Sequence, residues 1–265
     1  MDERSKELRS LVIKAFAADK RGHVGPTLSL IEILRVLYDS FLNYRVDDPE
    51  WAERDRLILS KGHGCLALYS VLSSKGFFSA DELTTFCKHD SRLGGHPERG
   101  KLPGIEASTG ALGHGLPIGV GMALAAKIRK EKHRVVVVTG DGELNEGSVW
   151  EAALSASMHK LSNLIVFVDN NKFQSYGPTN QVIDMGNLAE KWSSFGFAVK
   201  DIDGHDVTEL ENLVKQLPLS TEKPTAVICH TIKGKGFPFA EQNANWHHKS
   251  GLDESIIDEM YKCVE

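Results

Sequence analysis

Residues 135–153, VVVVTGDGELNEGSVWEAA, decide the architecture of this chain. A short, unbroken apolar run that ends at a glycine turn reads as a strand buried on both faces; a strand with one wet face would alternate. The run ends in an acid held between two glycines, Gly140-Asp141-Gly142, and a helical pattern starts just after it. Glycine lets the backbone turn sharply and approach a ligand closely. A carboxylate beside a buried strand is costly to desolvate unless something positive meets it. Ser148 and Glu151 have the spacing of a capping box, so the loop is expected to feed a helix N-terminus.

The same rhythm extends outward from this stretch. Strands are expected at 56–60, 164–168, 198–202 and 225–231, with helices between the later ones. Apolar strands alternating with helices predict an α/β fold, a parallel sheet covered by helices on both faces. Helical periodicity marks residues 3–19, where Leu8, Leu11, Val12, Ala15 and Phe16 share a face. A second helix is expected from a Ser29/Glu32 capping box to about Leu42, and a third over CLALYSVLSSKG, stopping at Gly76. A fourth carries a Ser79/Glu82 box. No repeat, low-complexity tract or linker interrupts the chain, and residues 1–265 are read as one domain.

Composition bounds the function. A net charge of −5 and a pI near 6.1 argue against nucleic-acid binding, which needs a basic face. The four cysteines are scattered, without a CxxC pair, and read as reduced thiols in a cytoplasmic protein. The charged N-terminus, MDERSKELRS, shows no apolar signal segment. Residues 107–126 carry no Asp, Glu, Lys or Arg, and about 20 residues could span a bilayer. The glycines, proline, histidine, serine and threonine in that segment favour a buried loop feeding a core helix, so no membrane partner is expected.

Ligands of open parallel sheets bind beyond the carboxyl ends of strands. There the loop after the valine run carries Asp141, Glu143 and Glu146, which would repel a bare phosphate. A divalent cation between acid and phosphate resolves the conflict, and Mg²⁺ suits it, being held by one or two protein oxygens plus phosphate oxygens. The next strand ends in Asp169-Asn170-Asn171, which would bring the Asn171 amide oxygen close to Asp141 as a second hard ligand. Both GDG and NN are also ordinary turn sequences. Neither dinucleotide nor P-loop signatures fit: GALGHG has the wrong glycine spacing, and GDGELNEG lacks the Lys-Ser/Thr pair. KGKGF at 233–237 fits a solvated turn or a substrate contact.

GDG followed by NN resembles the thiamine diphosphate fingerprint of transketolase-like enzymes. RGHVG, LSKGHGCLALY, GGHPE, PGIEASTGALGHG and WHHKS extend the resemblance, in order, over roughly residues 5–250. It implies thiamine diphosphate and Mg²⁺ as cofactors, with Ca²⁺ or Mn²⁺ able to substitute. Asp141, the side chain of Asn171 and the carbonyl of Phe173 would hold the metal, and Gly140 and Gly142 would border the diphosphate. Gly110, Ala111 and Leu112 would support the cofactor, and Glu146 would join a carboxylate network between paired sites.

Of eleven histidines, His23, His63, His96 and His114 each adjoin glycine. Imidazole exchanges protons near neutral pH, and glycine leaves room beside it; each could equally be a structural loop residue. The resemblance implies that His23, His96 and His247 contact ketose oxygens and that His63 bridges diphosphate and sugar. His248 is ambiguous beside His247. His89, His133, His159, His205 and His230 carry no motif and read as structural.

The chain departs from full-length transketolases chiefly in length. Those enzymes carry two further domains, which supply the group that activates the aminopyrimidine and the residues that hold a sugar phosphate. The resemblance therefore implies a separate C-terminal subunit, an α2β2 heterotetramer, and transfer of a two-carbon ketol unit from a ketose or its phosphate to an aldose. Val24 in place of the usual proline and His114 in place of the usual glutamine leave acceptor preference open. The alternatives are a deoxyxylulose-phosphate synthase, one chain of a 2-oxo acid dehydrogenase and a non-catalytic, partner-binding chain.

Overall fold

The computed structural model covers residues 1–265. The chain begins with helix α1 (Glu3–Asp19), a two-residue strand β1 (Arg21–Gly22), and helices α2 (Val24–Leu28) and α3 (Ile31–Val36), the last running into a wide π turn at Leu37–Phe41. Strand β2 (Arg56–Leu59), α4 (Cys65–Ser74), α5 (Gly115–Arg129), β3 (Val135–Gly140), α6 (Gly147–Met158) and β4 (Leu164–Asn170) follow. Then come α7 (Thr179–Val182), α8 (Leu188–Ser194), β5 (Ala198–Asp203), α9 (Val207–Val214), β6 (Thr225–His230), β7 (Lys249–Ser250) and α10 (Glu254–Lys262).

Five strands form one parallel sheet in the order β2-β3-β4-β6-β5, while β1 and β7 pair antiparallel in a separate two-stranded sheet. The valine run shows why the sheet is parallel and two-sided. Val136 and Val138 enter the core shared with α1, α3 and α4, whereas Val135 and Val137 enter the core beneath α5 and α6. Strand β4 divides likewise, Ile165 and Phe167 to one face, Val166 and Val168 to the other. A strand with two dry faces needs apolar residues at every position, which the sequence supplies.

The register aligns the strand ends that matter. Gly140 of β3 pairs with Asp169 of β4, so Asp141 and Asn171 leave adjacent strands at the same height. The glycine-rich segment is a loop leading into α5, as expected, and no helix is long and apolar enough to cross a membrane. Lys20, in left-handed geometry, closes α1.

All three capping boxes are corrected. Ser29 is no N-cap: it closes α2 through its backbone amide, its hydroxyl donates to Asp169 at 2.6 Å, and α3 starts two residues later without a side-chain cap. Ser148 Oγ donates to the Gly113 carbonyl, and Glu146 stands at the N-cap of α6 without a capping bond. Ser79 accepts from the Asp81 amide, but Glu82 turns to Arg92 and the segment is a 3₁₀ turn, Ala80–Thr85. For Ser29, Ser148 and Glu82 a partner elsewhere in the fold outcompetes the local amide; Ser79 alone still caps its turn.

Candidate functional site

A cavity of about 260 Å³ opens at the carboxyl ends of β2, β3 and β4. Its floor is built by Asp141 and Asn171, its walls by His23, His63, His96 and His247. Gly110, Leu112, Gly140, Gly142 and Phe173 also line it. Two expected members stand apart: Ala111 is exposed, and neither it nor Glu146 lines the cavity. His114 faces solvent, its Nδ1 beside the Leu112 carbonyl, and His248 packs edge-on to His23, with ring centroids 4.7 Å apart.

The acidic end has a defined internal logic. Asp169, fully buried, accepts from the Lys61 ammonium, the Ser29 and Thr231 hydroxyls and the Asn171 amide. Burial alone would raise its pKa, but the Lys61 charge and these hydrogen bonds prevail and hold it below the ordinary carboxylate value. An ionised carboxylate only accepts, so it selects the orientation of Asn171: the amide NH₂ turns toward Asp169, and the carbonyl oxygen turns the other way. That oxygen accepts from the Phe173 amide at 3.1 Å and keeps a lone pair.

Asp141 lacks such a partner. Its carboxylate accepts two backbone amides, Gly142 at 2.7 Å and Lys172, but no cation. Burial, followed by the nearby Asp169 charge, pushes its pKa up to about 7. A buried acid left short of positive charge beside an oriented amide oxygen offers the donors that a hard cation takes. No group of three His, Cys, Asp or Glu side chains could cage a metal. A cation here would therefore keep positions for a ligand's oxygens, as Mg²⁺ does. Gln174 adds a second gap: its buried Nε2 donor has no partner and borders the same cavity. Its side chain lies over Gly142, where a Cβ would come within 2.8 Å of Gln174 Cγ.

The second acid of the loop does different work. Glu143 is buried and accepts from the Ser60 hydroxyl and from the Gly113 and Gly140 amides. Instead of repelling an anion, it stitches the loop before α5 to the end of β3. Burial raises its pKa.

The opposite wall is imidazole. His23 sits centrally, with ring centroids 5.4 Å from His63, 5.8 Å from His96 and 5.5 Å from His247. Burial and the neighbouring rings, with Lys61 and Lys233 beyond, lower His23 to about 4. Burial and Lys233 lower His247 to about 3, and burial and Lys61 take His63 well below its ordinary value. At neutral pH the wall is a set of uncharged rings, each able to donate one hydrogen bond and accept another. Gly110 permits this crowding: its φ of +142° suits glycine, and a Cβ there would lie 2.9 Å from His96 Cδ2.

Sequence patterns passed over Lys61 and Asp169 and left Lys233 undecided. Lys233 is no solvated turn: it is fully buried, and its Nζ donates to His247 Nδ1 at 2.8 Å and to the Gln174 carbonyl at 2.9 Å. Its place just after a buried strand, like that of Lys61, was the available signal.

Comparison with known proteins agrees with this geometry. A family model described as transketolase, thiamine diphosphate binding domain, matches residues 2–264. One chain of the apulose-4-phosphate transketolase of Phocaeicola vulgatus is 40% identical over 247 residues, covering 93% of this chain and 86% of that protein. One chain of the 6-deoxy-6-sulfo-D-fructose transketolase of a Clostridium species is 37% identical over 264 residues, covering 100% and 94% respectively. Transketolase from Campylobacter jejuni superposes with a TM-score of 0.91 at 33% identity; the match covers 99% of this chain but 42% of that one. These matches favour transketolase over the related synthases and dehydrogenases. The chain belongs to the transketolase family, as its thiamine diphosphate-binding, N-terminal part.

Proposed function

We propose that this chain is the diphosphate- and Mg²⁺-holding half of a two-chain transketolase, which moves a two-carbon ketol unit from a ketose or ketose phosphate to an aldose. The observation that carries this reading is a single cavity in which an under-neutralised Asp141 and an oriented Asn171 oxygen face four uncharged imidazoles. Relatives of nearly the same length are named as single subunits of transketolases. Their names support a separate partner chain; an α2β2 assembly in the cytoplasm is part of the same proposal.

When bound, thiamine diphosphate supplies a thiazolium carbon that stabilises the carbanion formed when a bond next to a ketone breaks. The residues of this chain hold its diphosphate end and orient the sugar. Asp141, Asn171 Oδ1 and the Phe173 carbonyl would hold Mg²⁺, which neutralises the diphosphate, while the free Gln174 Nε2 and the Gly142 amide border it. His23, His96 and His247 bind sugar oxygens. As neutral rings they donate to a carbonyl oxygen as charge grows on it and can move protons to and from it. Glu146, exposed at the start of α6 and outside the cavity, would join a carboxylate network with a partner chain and would not touch the sugar.

Mixing the chain with its candidate partner, thiamine diphosphate, Mg²⁺, a ketose phosphate and an aldose acceptor tests the reading. Ketol transfer is expected only when both chains are present. Full transfer by this chain alone would refute the divided site.

A further inference from the structure

Behind the imidazole wall lies a buried polar chain that the proposed function leaves unused. Arg9 of α1 is fully buried and grips Glu32 of α3 with two bonds, 2.6 and 3.2 Å. Glu32 also accepts from His205 Nδ1 at 2.9 Å, in the turn after β5. Burial would raise the Glu32 pKa, but His205 and Arg9 outweigh it and bring it down to about 2. An ionised Glu32 fixes the His205 tautomer: Nδ1 carries the proton, and Nε2 is left bare.

Both ends of this chain close on one loop. The bare His205 Nε2 accepts the Ile232 amide at 2.8 Å, and Arg9 Nε donates to the Lys235 carbonyl at 3.1 Å. Lys233 sits between the two pins. Gly234 is held as well, its amide donating to the Gly25 carbonyl at 3.1 Å. Lys233 in turn sets a second tautomer. An ammonium can only donate, so its bond to His247 Nδ1 leaves the His247 proton on Nε2.

The geometry points to Glu32 and His205 as positioning residues for the transketolase reaction: they fix the loop that aims Lys233 at His247, and so keep the His247 ring as an Nε2–H donor at the sugar end of the cavity. This rests on the proposed role of His247. His205, which carries no motif in the sequence, is thereby tied to the site through two hydrogen bonds and one loop. An ordinary buried ion pair would stabilise the fold without any such directed link.

A double-variant cycle separates the two. In the assembled two-chain enzyme, His205→Leu is expected to lower kcat/KM for the ketose donor about tenfold, within the range for residues coupled in one network. In a Lys233→Met background the same change is expected to cost less than about twofold, because its route is already cut. His205→Gln, which can donate to Glu32 and accept from Ile232, is expected to restore most of the activity. The full-length chain alone gives an independent readout: imidazole ¹⁵N shifts should show His247 as the Nε2–H tautomer in wild type and His205→Gln, and as a mixture in His205→Leu. Equal losses in both Lys233 backgrounds, or an unmoved His247 tautomer, would overturn the inference. If Lys233→Met itself leaves kcat/KM unchanged, the fault lies instead with the proposed role of His247.

Discussion

The same burial shifts the pKa values at the two ends of the cavity in opposite directions. At the acidic end, desolvation drives Asp141 toward its neutral form, with a pKa of about 7, and no cationic side chain bonds to it. At the imidazole end, desolvation drives His23 and His247 toward theirs, to about 4 and about 3, and the neutral form is already the working one. One end is left short of positive charge. The other is complete as folded. That difference separates what the chain must recruit from what it carries.

Asp169 stands between the two ends, and breaking its pairing should produce the largest effect. Lys61 and Asp169 are 1% and 0% exposed. Lys61→Met would leave a buried carboxylate without its cation, at a cost of about 3–5 kcal/mol. That is a large share of the roughly 5–15 kcal/mol that stabilises an ordinary domain. Urea denaturation measures it; a loss below about 1 kcal/mol would mean that the hydroxyls of Ser29 and Thr231 suffice.

The imidazole end predicts a smaller, pH-dependent effect. The folded pKa values of His23 and His247 lie below the ordinary 6.5. Between about pH 6.5 and 4 the unfolded chain takes up protons that the folded cluster refuses. Stability is therefore full above about pH 6.5 and falls as pH drops toward the folded values. Discounted for partial solvent exposure, each ring should contribute about 1 kcal/mol across that window. The wild type should lose about 2 kcal/mol more than a His23→Asn, His247→Asn variant between about pH 7 and 4.5, measured by chemical denaturation at each pH. Parallel curves for the two proteins would show that the rings are not held neutral by burial.

Much of this was legible in the sequence, for a physical reason. The valine run prescribed a strand dry on both faces, and the acid-glycine and Asp-Asn-Asn endings marked adjacent strand ends, because parallel register carries strand ends to one edge. The histidines that line the cavity gathered as expected, while His114 stayed in solvent. What could not be read were choices of partner. Ser29, Ser148 and Glu32 have capping-box spacing, yet their side chains bond across the fold to Asp169, Gly113 and Arg9. Lys61, Lys233 and Gln174 belong to the site through contacts that no local pattern encodes. Glu143, taken for a repelling charge, proved to be a brace between two loops.

Asp141 is expected to complete its charge with a metal. Titrating thiamine diphosphate into the two-chain enzyme, with and without Mg²⁺, for wild type and Asp141→Ala tests it most directly. Wild type should bind tightly only with Mg²⁺, and Asp141→Ala should lose at least about a hundredfold in affinity, together with its response to the metal. An Asp141→Ala enzyme that binds the cofactor with unchanged affinity and still responds to Mg²⁺ would contradict the account.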